Sequence, residues 1–262
     1  MKKIVALFIL MTTIGYVNAQ IIKMPIPDKL VVLTFDDATA SQYSIVAPLL
    51  EKFGFGGTFF ICEFQPNFKD SSKYMNWRQI AALNRMGFEI ANHTRHHEHI
   101  NSLSKEKAVE VLKYIDDKCD SLDIPKPTNF AYPGYGLNLS ALEVLKEEGY
   151  HFARAGGSRA YNPVVDHPLL IPSWAMNSEN KQEIMQAFSE AKEGKIVVLT
   201  IHGVPDVEHP WVTTPPELFE EYLTYLSGNG FSVISLNQLD EYIDVKEAVR
   251  SIIPDFTKPL KN

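Results

Sequence analysis

The chain has few cysteines and no long apolar run. Its 262 residues include only two cysteines, Cys62 and Cys119, and their spacing does not resemble a zinc-binding cysteine cluster. A helix that spans a bilayer needs about 20 consecutive apolar residues, and no segment of the sequence reaches that length. We therefore expect neither a membrane span nor a zinc site built from cysteines.

Basic residues are also scarce. The sequence has 25 lysines and arginines against 32 aspartates and glutamates, which gives a formal net charge of −7 at pH 7. Nucleic acids and anionic membrane surfaces attract basic proteins, so this acidic balance disfavours both as partners. An uncharged substrate fits the composition better, and the oligomeric state is left open.

The N-terminal residues have the pattern of a secretion signal. Lys2 and Lys3 precede an apolar stretch over residues 4–11, and Val17-Asn18-Ala19 has small residues at the positions of a cleavage site. We predict a signal peptide over residues 1–19 and a secreted or periplasmic protein, with a retained N-terminal anchor as the alternative. Cleavage would remove two lysines and no acid, so the net charge would change from −7 to −9. An exported protein could join its two cysteines, although a buried free thiol is equally natural.

Short apolar runs alternate with amphipathic helical segments from residue 30 almost to the end of the chain. Alternation of this kind is typical of a parallel sheet covered on both faces, and the number of repeats fits a β/α barrel. We predict one domain over residues 20–245, followed by a packed or loose tail over 246–262. The predicted strands are 30–35, 57–61, 88–92, 129–132, 151–154, 169–171, 196–201 and 231–234, and the predicted helices lie near 42–53, 77–86, 104–120, 139–148, 181–193, 215–228 and 235–246.

Polar residues with catalytic chemistry follow four of the predicted strands. They are Asp36 and Asp37 after the first strand, His93, His96, His97 and His99 after the third, the segment 132–136 after the fourth, and His202 after the strand 196–201. The carboxyl ends of the strands in a β/α barrel meet at one face, where active sites assemble. The sequence therefore predicts that these distant residues converge.

The aspartates and histidines together offer the ligands of a divalent metal site. Two imidazoles and one carboxylate hold a catalytic ion with coordination positions left open, and His93 and His97 have a spacing that suits one side of a helical turn. Two adjacent aspartates allow one to ligate while the other acts as a base. The spacing alone does not decide which histidines ligate. A helix cap for the aspartates and a solvated turn for the histidines are the alternative interpretations.

Four motifs, in this order, resemble those of the polysaccharide deacetylase family, which includes chitin and peptidoglycan deacetylases. They are Thr34-Phe35-Asp36-Asp37, His93-Thr94-Arg95-His96-His97, Tyr132-Pro133-Gly134-Tyr135-Gly136 and Leu199-Thr200-Ile201-His202. The resemblance covers about residues 28–245. It implies an α/β fold, a distorted (β/α) barrel with seven or eight mostly parallel strands. It also implies a divalent metal ion, zinc or a similar ion, with Asp37, His93 and His97 as ligands.

The resemblance further implies a metal-dependent hydrolase that removes N-acetyl or O-acetyl groups from an acetylated glycan, and the predicted signal peptide makes it a secreted one. Asp36 would take a proton from the attacking water, and His202 would protonate the departing amine, since histidine titrates near neutrality. A backbone N–H near Gly134 or Tyr135 would bind the oxyanion. The aromatic rings of Tyr135, Trp174 and Trp211 could stack on a sugar, although packing is the commoner role of such rings.

Two positions depart from the family pattern. Ala131-Tyr132 stands where many members have an arginine that steers the base, and Arg154 or Arg159 could replace it. The region 170–174 lacks the aspartate that orients the catalytic histidine. These departures keep two alternatives open: a metal-dependent amidohydrolase acting on a small cyclic amide or formyl substrate, and a catalytically weakened glycan-binding relic.

Overall fold

The computed structural model describes residues 21–261, so the predicted signal peptide over 1–19 lies outside the described residues. Strands and helices alternate through this part of the chain. The strands are β1 Leu30–Phe35, β2 Thr58–Ile61, β3 Glu89–Asn92, β4 Asn129–Ala131, β5 Phe152–Arg154, β6 Trp174–Ala175, β7 Val197–Ile201 and β8 Ser232–Ile234. The α-helices are α1 Ala47–Phe53, α2 Trp77–Arg85, α3 Lys105–Asp120, α4 Leu139–Glu147, α5 Lys181–Phe188, α6 Pro216–Gly228 and α7 Val245–Ser251.

The strands form one curled parallel sheet, which confirms the predicted distorted (β/α) barrel. Seven of them run in the order β5-β4-β3-β2-β1-β7-β6, and β8 pairs with the first half of β1. Every strand pairing within the sheet is parallel. The curl is completed at Ile171, which forms a parallel bridge to Arg154 at the end of β5. The carboxyl ends of the strands therefore face one common side.

Side chains of each strand alternate between two environments. Val31, Leu33 and Phe35 of β1 pack outward in a cluster that also contains Leu50 of α1 and Leu223 of α6. The intervening residues point into the barrel, where one cluster collects a side chain from each of six strands: Val32, Phe60, Ala91, Ala131, Phe152 and Val198. This period of two is the expected geometry of a strand in a barrel.

Two predicted elements were wrong. The segment 169–171 is not a strand but a 3₁₀ turn over Pro168–Leu170, because Pro168 fixes a helical φ and His167 Nδ1 accepts the N–H of Leu169 at 3.1 Å. The strand β6 lies a few residues later, at Trp174–Ala175. The predicted helix 235–246 is instead a 3₁₀ segment, Leu236–Glu241, followed by the separate helix α7, whose N-cap is Asp244.

The C-terminal residues return to the barrel. Ala248 of α7 is fully buried, and Leu260 is 6% exposed in a cluster with residues of α3 and α4. Cys62 and Cys119 are both buried free thiols. Among the described residues, no helix combines the length and apolar character needed to cross a bilayer.

Candidate metal centre and active site

The predicted catalytic residues lie together at the carboxyl end of the barrel. A cavity of about 430 Å³ opens there. Its lining contains Asp36, Asp37, His93, His97, Gly134, Tyr135, His202 and Trp211 from the predicted set, and Phe64, Tyr132, Ala175, Asn177, His209 and Val212 in addition. Residues separated by more than 160 positions in sequence therefore share one cavity, as the strand-end placement predicted.

The alternation of the strands explains which polar side chains face this cavity. Asp36 continues the inward series of β1 through Val32 and Thr34, and His93 follows the inward Ala91 of β3. In the same way, Arg154 lies two residues after the inward Phe152 of β5, and His202 lies four residues after the inward Val198 of β7. Asp37 would by this rule face outward. Its positive φ of 71° breaks the alternation, so both adjacent aspartates line the cavity.

Asp37, His93 and His97 form the candidate metal site. Each offers one ligand atom, and these three atoms lie within 4.8 Å of one another. The Nε2 atoms of His93 and His97 are 3.5 Å and 3.7 Å from Oδ1 of Asp37. Two imidazole nitrogens and one carboxylate oxygen are a donor set that zinc binds while keeping coordination positions open. The residues present therefore fit a catalytic divalent ion.

A backbone contact fixes the orientation of His93. Its Nδ1 lies 2.8 Å from the carbonyl oxygen of Ala131 on β4. A carbonyl can only accept, so Nδ1 carries the proton and donates, and Nε2 is the nitrogen directed at Asp37. Metal-ligating histidines commonly donate their other N–H to a carbonyl or carboxylate in this way. The side chain is 1% exposed, so the imidazole has no freedom to turn away.

The three ligands differ in their readiness to release a proton. Burial raises the pKa of Asp37, but the hydrogen bond with His93 and the charges of His202 and His97 outweigh it and hold the pKa below the usual range. Burial, and next the charge of His93, lower the pKa of His97 to about 4. Burial also opposes charge on His93, yet the nearby Asp36 and Asp37 raise its pKa above the ordinary value.

Asp36 is held by an arginine from a different strand. Arg154 at the end of β5 is fully buried, and its guanidinium donates to Oδ2 of Asp36 at 2.5 Å and to the hydroxyl of Thr200 at 2.6 Å. Oδ1 of Asp36 is buried without a hydrogen-bond partner among the described residues. Of the two arginines that could replace the one absent at Ala131-Tyr132, Arg154 contacts Asp36, whereas Arg159 pairs with Asp166 at 2.8 Å.

His202 is distant from Asp37 in the sequence but lies close to it in the structure. Its Nε2 is 3.9 Å from Oδ2 of Asp37, and its side chain is 17% exposed at the cavity. Its Nδ1 is buried and has no hydrogen-bond partner within residues 21–261. The aspartate missing from the family pattern is therefore not replaced by another carboxylate on this nitrogen.

The side chain of His99 leaves room only for a glycine at position 134, in the third motif. Gly134 has a φ of 53°, and a Cβ built there would lie 2.6 Å from Nε2 of His99. His99, which has no metal-ligating role in the resemblance, packs under this turn. The adjacent Tyr135 also has positive φ, 52°, and its N–H donates to the Tyr132 carbonyl at 3.0 Å. Left-handed residues cluster at functional sites because surrounding contacts hold them there.

The two predicted tryptophans have different positions. Trp211 lines the cavity and is 71% exposed, so its ring is accessible to a ligand. Trp174 on β6 is 3% exposed and packs in the outer core cluster, outside the cavity lining. The outward register of β6 thus places Trp174 where it offers no face to a sugar, and its neighbour Ala175 lines the cavity instead.

Three of the cavity residues outside the predicted set are Phe64, Asn177 and His209. They lie in loops after β2, β6 and β7, where no strand or helix period indicates direction. Cys62, at the start of the first of these loops, has its Sγ 3.8 Å from Oδ1 of Asp37. Burial and then the charges of Asp37 and Asp36 raise the pKa of this thiol well above its ordinary value, so Cys62 stays protonated.

The sequence of the chain matches the family model described as polysaccharide deacetylase over residues 23–153, half of its length. The chain belongs to the polysaccharide deacetylase family. A bifunctional xylanase/deacetylase of Pseudobutyrivibrio xylanivorans is 24% identical over 81% of this chain and 31% of that protein. The chain spans less than half the length of the curated relatives that it matches.

Solved structures confirm the fold. The Xyl-CE4 domain of a multidomain xylanase from the hindgut metagenome of Trinervitermes trinervoides superposes with a TM-score of 0.59 at 20% identity, over 82% of this chain and 91% of that one. A CE4-family pseudoenzyme from Bacillus anthracis has a TM-score of 0.57 at 18% identity, over 82% of this chain and 67% of that one. The fold is thus shared with a protein that is described as a pseudoenzyme.

Proposed function

We propose that this protein is an exported, metal-dependent hydrolase that removes N-acetyl groups, or O-acetyl groups, from a glycan. The observation that carries the proposal is the meeting of three ligand atoms, on Asp37, His93 and His97, beside a second aspartate with one oxygen unpartnered. We propose zinc as the ion, because this donor set suits it. A dication held there would polarise an acyl oxygen and lower the pKa of a water molecule.

Asp36 is the proposed general base. Arg154 holds Oδ2 and leaves Oδ1 available to accept a proton from water. Because the guanidinium is fully buried, it fixes the direction of the carboxylate and keeps its negative charge compensated. Proton transfer from a base held in this way contributes typically 10²–10⁴-fold to a rate.

His202 is the proposed acid, and Gly134 the proposed oxyanion donor. His202 lines the same cavity as Asp36, and an imidazole can deliver a proton to a departing amine near neutral pH. The N–H of Tyr135 is already used by the Tyr132 carbonyl, which leaves Gly134 as the better of the two predicted donors. Tyr135 and the exposed ring of Trp211 are the proposed surfaces for stacking on the apolar face of a sugar.

Acetate release from N-acetylated chitooligosaccharides and from peptidoglycan tests this function. We expect activity that a chelator removes and zinc restores, and a loss of about 10²-fold or more in kcat for Asp36→Asn. Asp166→Asn is the matched control, since Asp166 is also a buried aspartate that pairs with an arginine but lies outside the cavity. Absence of acetate from every acetylated glycan at saturating zinc would contradict the proposal.

We further propose that the protein is exported. Support comes from Lys2 and Lys3, the apolar residues 4–11 and the small residues before Gln20. The protein recovered from the periplasm or the culture medium is expected to begin at Gln20, as read by N-terminal sequencing. Recovery of an intact N-terminus inside the cell would count against export and leave the proposed hydrolysis untouched.

A glycan-binding protein without activity is the second candidate. It is favoured by the unpartnered Nδ1 of His202 and by the pseudoenzyme that shares this fold. The contact between Arg154 and Asp36 weakens it, because a pure binding protein has no use for a positioned base. If Asp36→Asn changes no rate on any glycan that binds, this second candidate is preferred.

A further inference from the structure

A second histidine in the cavity has a carboxylate partner. His209 lies in the loop Gly203–Thr214 after β7, and its Nδ1 is 3.4 Å from Oδ1 of Asp206, long for a hydrogen bond but within ion-pair range. This carboxylate is 3% exposed and is held by backbone N–H groups of Gly203 at 3.2 Å, Glu208 at 3.1 Å and His209 itself at 2.8 Å. Asp206 is therefore a fixed feature of the loop.

The orientation of His209 follows from that contact. Because Nδ1 faces Asp206, Nε2 on the opposite edge of the ring is the nitrogen left for the cavity, which His209 lines. The side chain is 16% exposed, so little of it contacts bulk water. The neighbouring carboxylate of Asp206 raises the pKa of His209 and so favours the ring that is protonated on both nitrogens, in which Nε2 is a donor.

His209 is separated from the metal ligands by an aromatic ring. The ring of Phe64 lies 5.1 Å from the ring of His97 and 5.0 Å from that of His209. On its other side His209 contacts the ring of Trp211, at 5.4 Å. A group that reaches both the metal ligands and His209 must therefore extend past Phe64, and a sugar ring attached to an acetamide has this shape.

The charges around His209 are balanced. Asp206 compensates the imidazole, and Lys73 compensates Glu208 through a contact of 2.9 Å. Across Phe64, Asp37 faces the other histidines, and Arg154 pairs with Asp36. No excess positive charge is thus directed at the ligand near His209, so an uncharged hydroxyl or carbonyl oxygen suits this donor better than a carboxylate.

We propose that His209 determines substrate specificity by donating a hydrogen bond from Nε2 to an oxygen of an uncharged sugar. The apolar face of that sugar packs against Trp211. This inference rests on the proposed function, because it assigns His209 to the glycan part of the same substrate. His209 positions the substrate and takes no part in hydrolysis at the metal ligands.

The test compares a long and a short substrate on the zinc-loaded protein. Penta-N-acetylchitopentaose reaches the whole cavity, whereas 4-nitrophenyl acetate reports only on the metal centre. His209→Phe keeps an aromatic ring and removes the donor, and His209→Gln keeps a donor without the charge. His151→Gln is the matched control, because His151 also pairs with an aspartate, Asp240 at 3.0 Å, but lies outside the cavity.

We expect His209→Phe to raise KM for the pentaose roughly tenfold, the effect of one lost charge-assisted hydrogen bond, and to leave kcat and aryl acetate hydrolysis within about twofold. His209→Gln should recover part of the loss, and His151→Gln should change nothing. A parallel fall on both substrates, or no change on either, would overturn the inference.

Binding of the pentaose, measured by calorimetry, separates this inference from the proposed function. If the wild-type protein binds the pentaose without releasing acetate, the hydrolase proposal fails for this glycan. A weaker affinity of His209→Phe would then still support the role of His209. If the wild-type protein does not bind the pentaose, the role of His209 is rejected.

Discussion

Arg154 and Asp36 form a buried ion pair whose partners come from β5, at one edge of the sheet order, and from the end of β1, four strands away. Oδ2 of Asp36 has this guanidinium as its donor, and Arg154 is fully buried. A buried pair adds little to stability over apolar residues of the same volume, but removal of one partner leaves an uncompensated charge. The pair therefore directs the carboxylate of Asp36, the proposed base, more than it stabilises the fold.

Arg154→Met is expected to lower the free energy of unfolding by about 3–5 kcal/mol and to reduce kcat, because Asp36 loses both its charge partner and its direction. Arg154→Lys keeps the charge without the planar fork and should recover stability more than kcat. Urea denaturation and acetate release measure the two effects. Arg159→Met is the control, and an equal loss of kcat in that variant would contradict the role of Arg154.

The three candidate ligands differ in pKa, and this difference predicts how zinc affinity depends on pH. The pKa of His93 is raised and that of His97 is lowered to about 4, while Asp37 is ionised throughout the neutral range. Zinc must displace one proton, from His93, once the pH falls below the raised pKa of that residue. Zinc affinity should then decrease about tenfold per pH unit towards acid, with a slope of one.

Competition titration with a zinc chelator between about pH 5 and pH 8 measures this slope, in the range where histidines ordinarily titrate. The sign follows from the proton count, since the metal-free protein binds more protons than the loaded protein at low pH. A slope of two above about pH 5 would show that His97 is also protonated there, contrary to its lowered pKa.

At the scale of elements, the loop after β4 is tied to the histidine loop. Asn138 is the N-cap of α4, and its Oδ1 accepts the N–H of Ala141 at 2.8 Å. Its Nδ2 donates to the carbonyl of Asn101 at 3.3 Å, on the segment that follows His99. One side chain therefore begins a helix and joins the two loops that carry Gly134 and His97.

Asn138→Ala should destabilise the protein by about 1 kcal/mol, the usual effect of a lost N-cap. Asn138→Asp keeps the capping oxygen and loses only the contact with Asn101, so it should retain most of the stability. Ser140→Ala, in the first turn of the same helix, is the control. The prediction would be contradicted if thermal and urea unfolding gave all three variants the stability of the wild type.

Strand and helix alternation in the sequence predicted the barrel, and strand ends predicted that the candidate metal ligands lie together, because both depend on local periods and on a single topological rule. The same period could have chosen Arg154 over Arg159, since Arg154 continues the inward series of β5 after Phe152. At Pro168 the local pattern gave a wrong prediction, because an apolar run with the composition of a strand forms a 3₁₀ turn there. Phe64 and His209 belong to loops, whose direction is set by tertiary contacts that no local pattern records.

The whole molecule should be stabilised by its metal. Asp37, His93 and His97 come from two separate strand ends, so the unfolded chain holds no equivalent site. At free zinc of about 100 times Kd, linkage adds about 2.7 kcal/mol to the free energy of unfolding. Calorimetry should show a rise in Tm with zinc for the wild type and none for His97→Ala. A zinc-dependent rise in that variant would place the ion elsewhere.

The loop after β7 closes upon itself. The N–H of Thr214 donates to the carbonyl of Gly203 at 3.2 Å. Within the loop, the carboxylate of Asp206 accepts the backbone N–H groups of Gly203 and His209. Contacts within the segment thus fix its shape, as in an Ω-loop, and neighbouring loops contact it through Ser41 and Lys73. We therefore expect that a different sequence between Gly203 and Thr214 would alter the proposed glycan preference and leave Asp37, His93 and His97 in place.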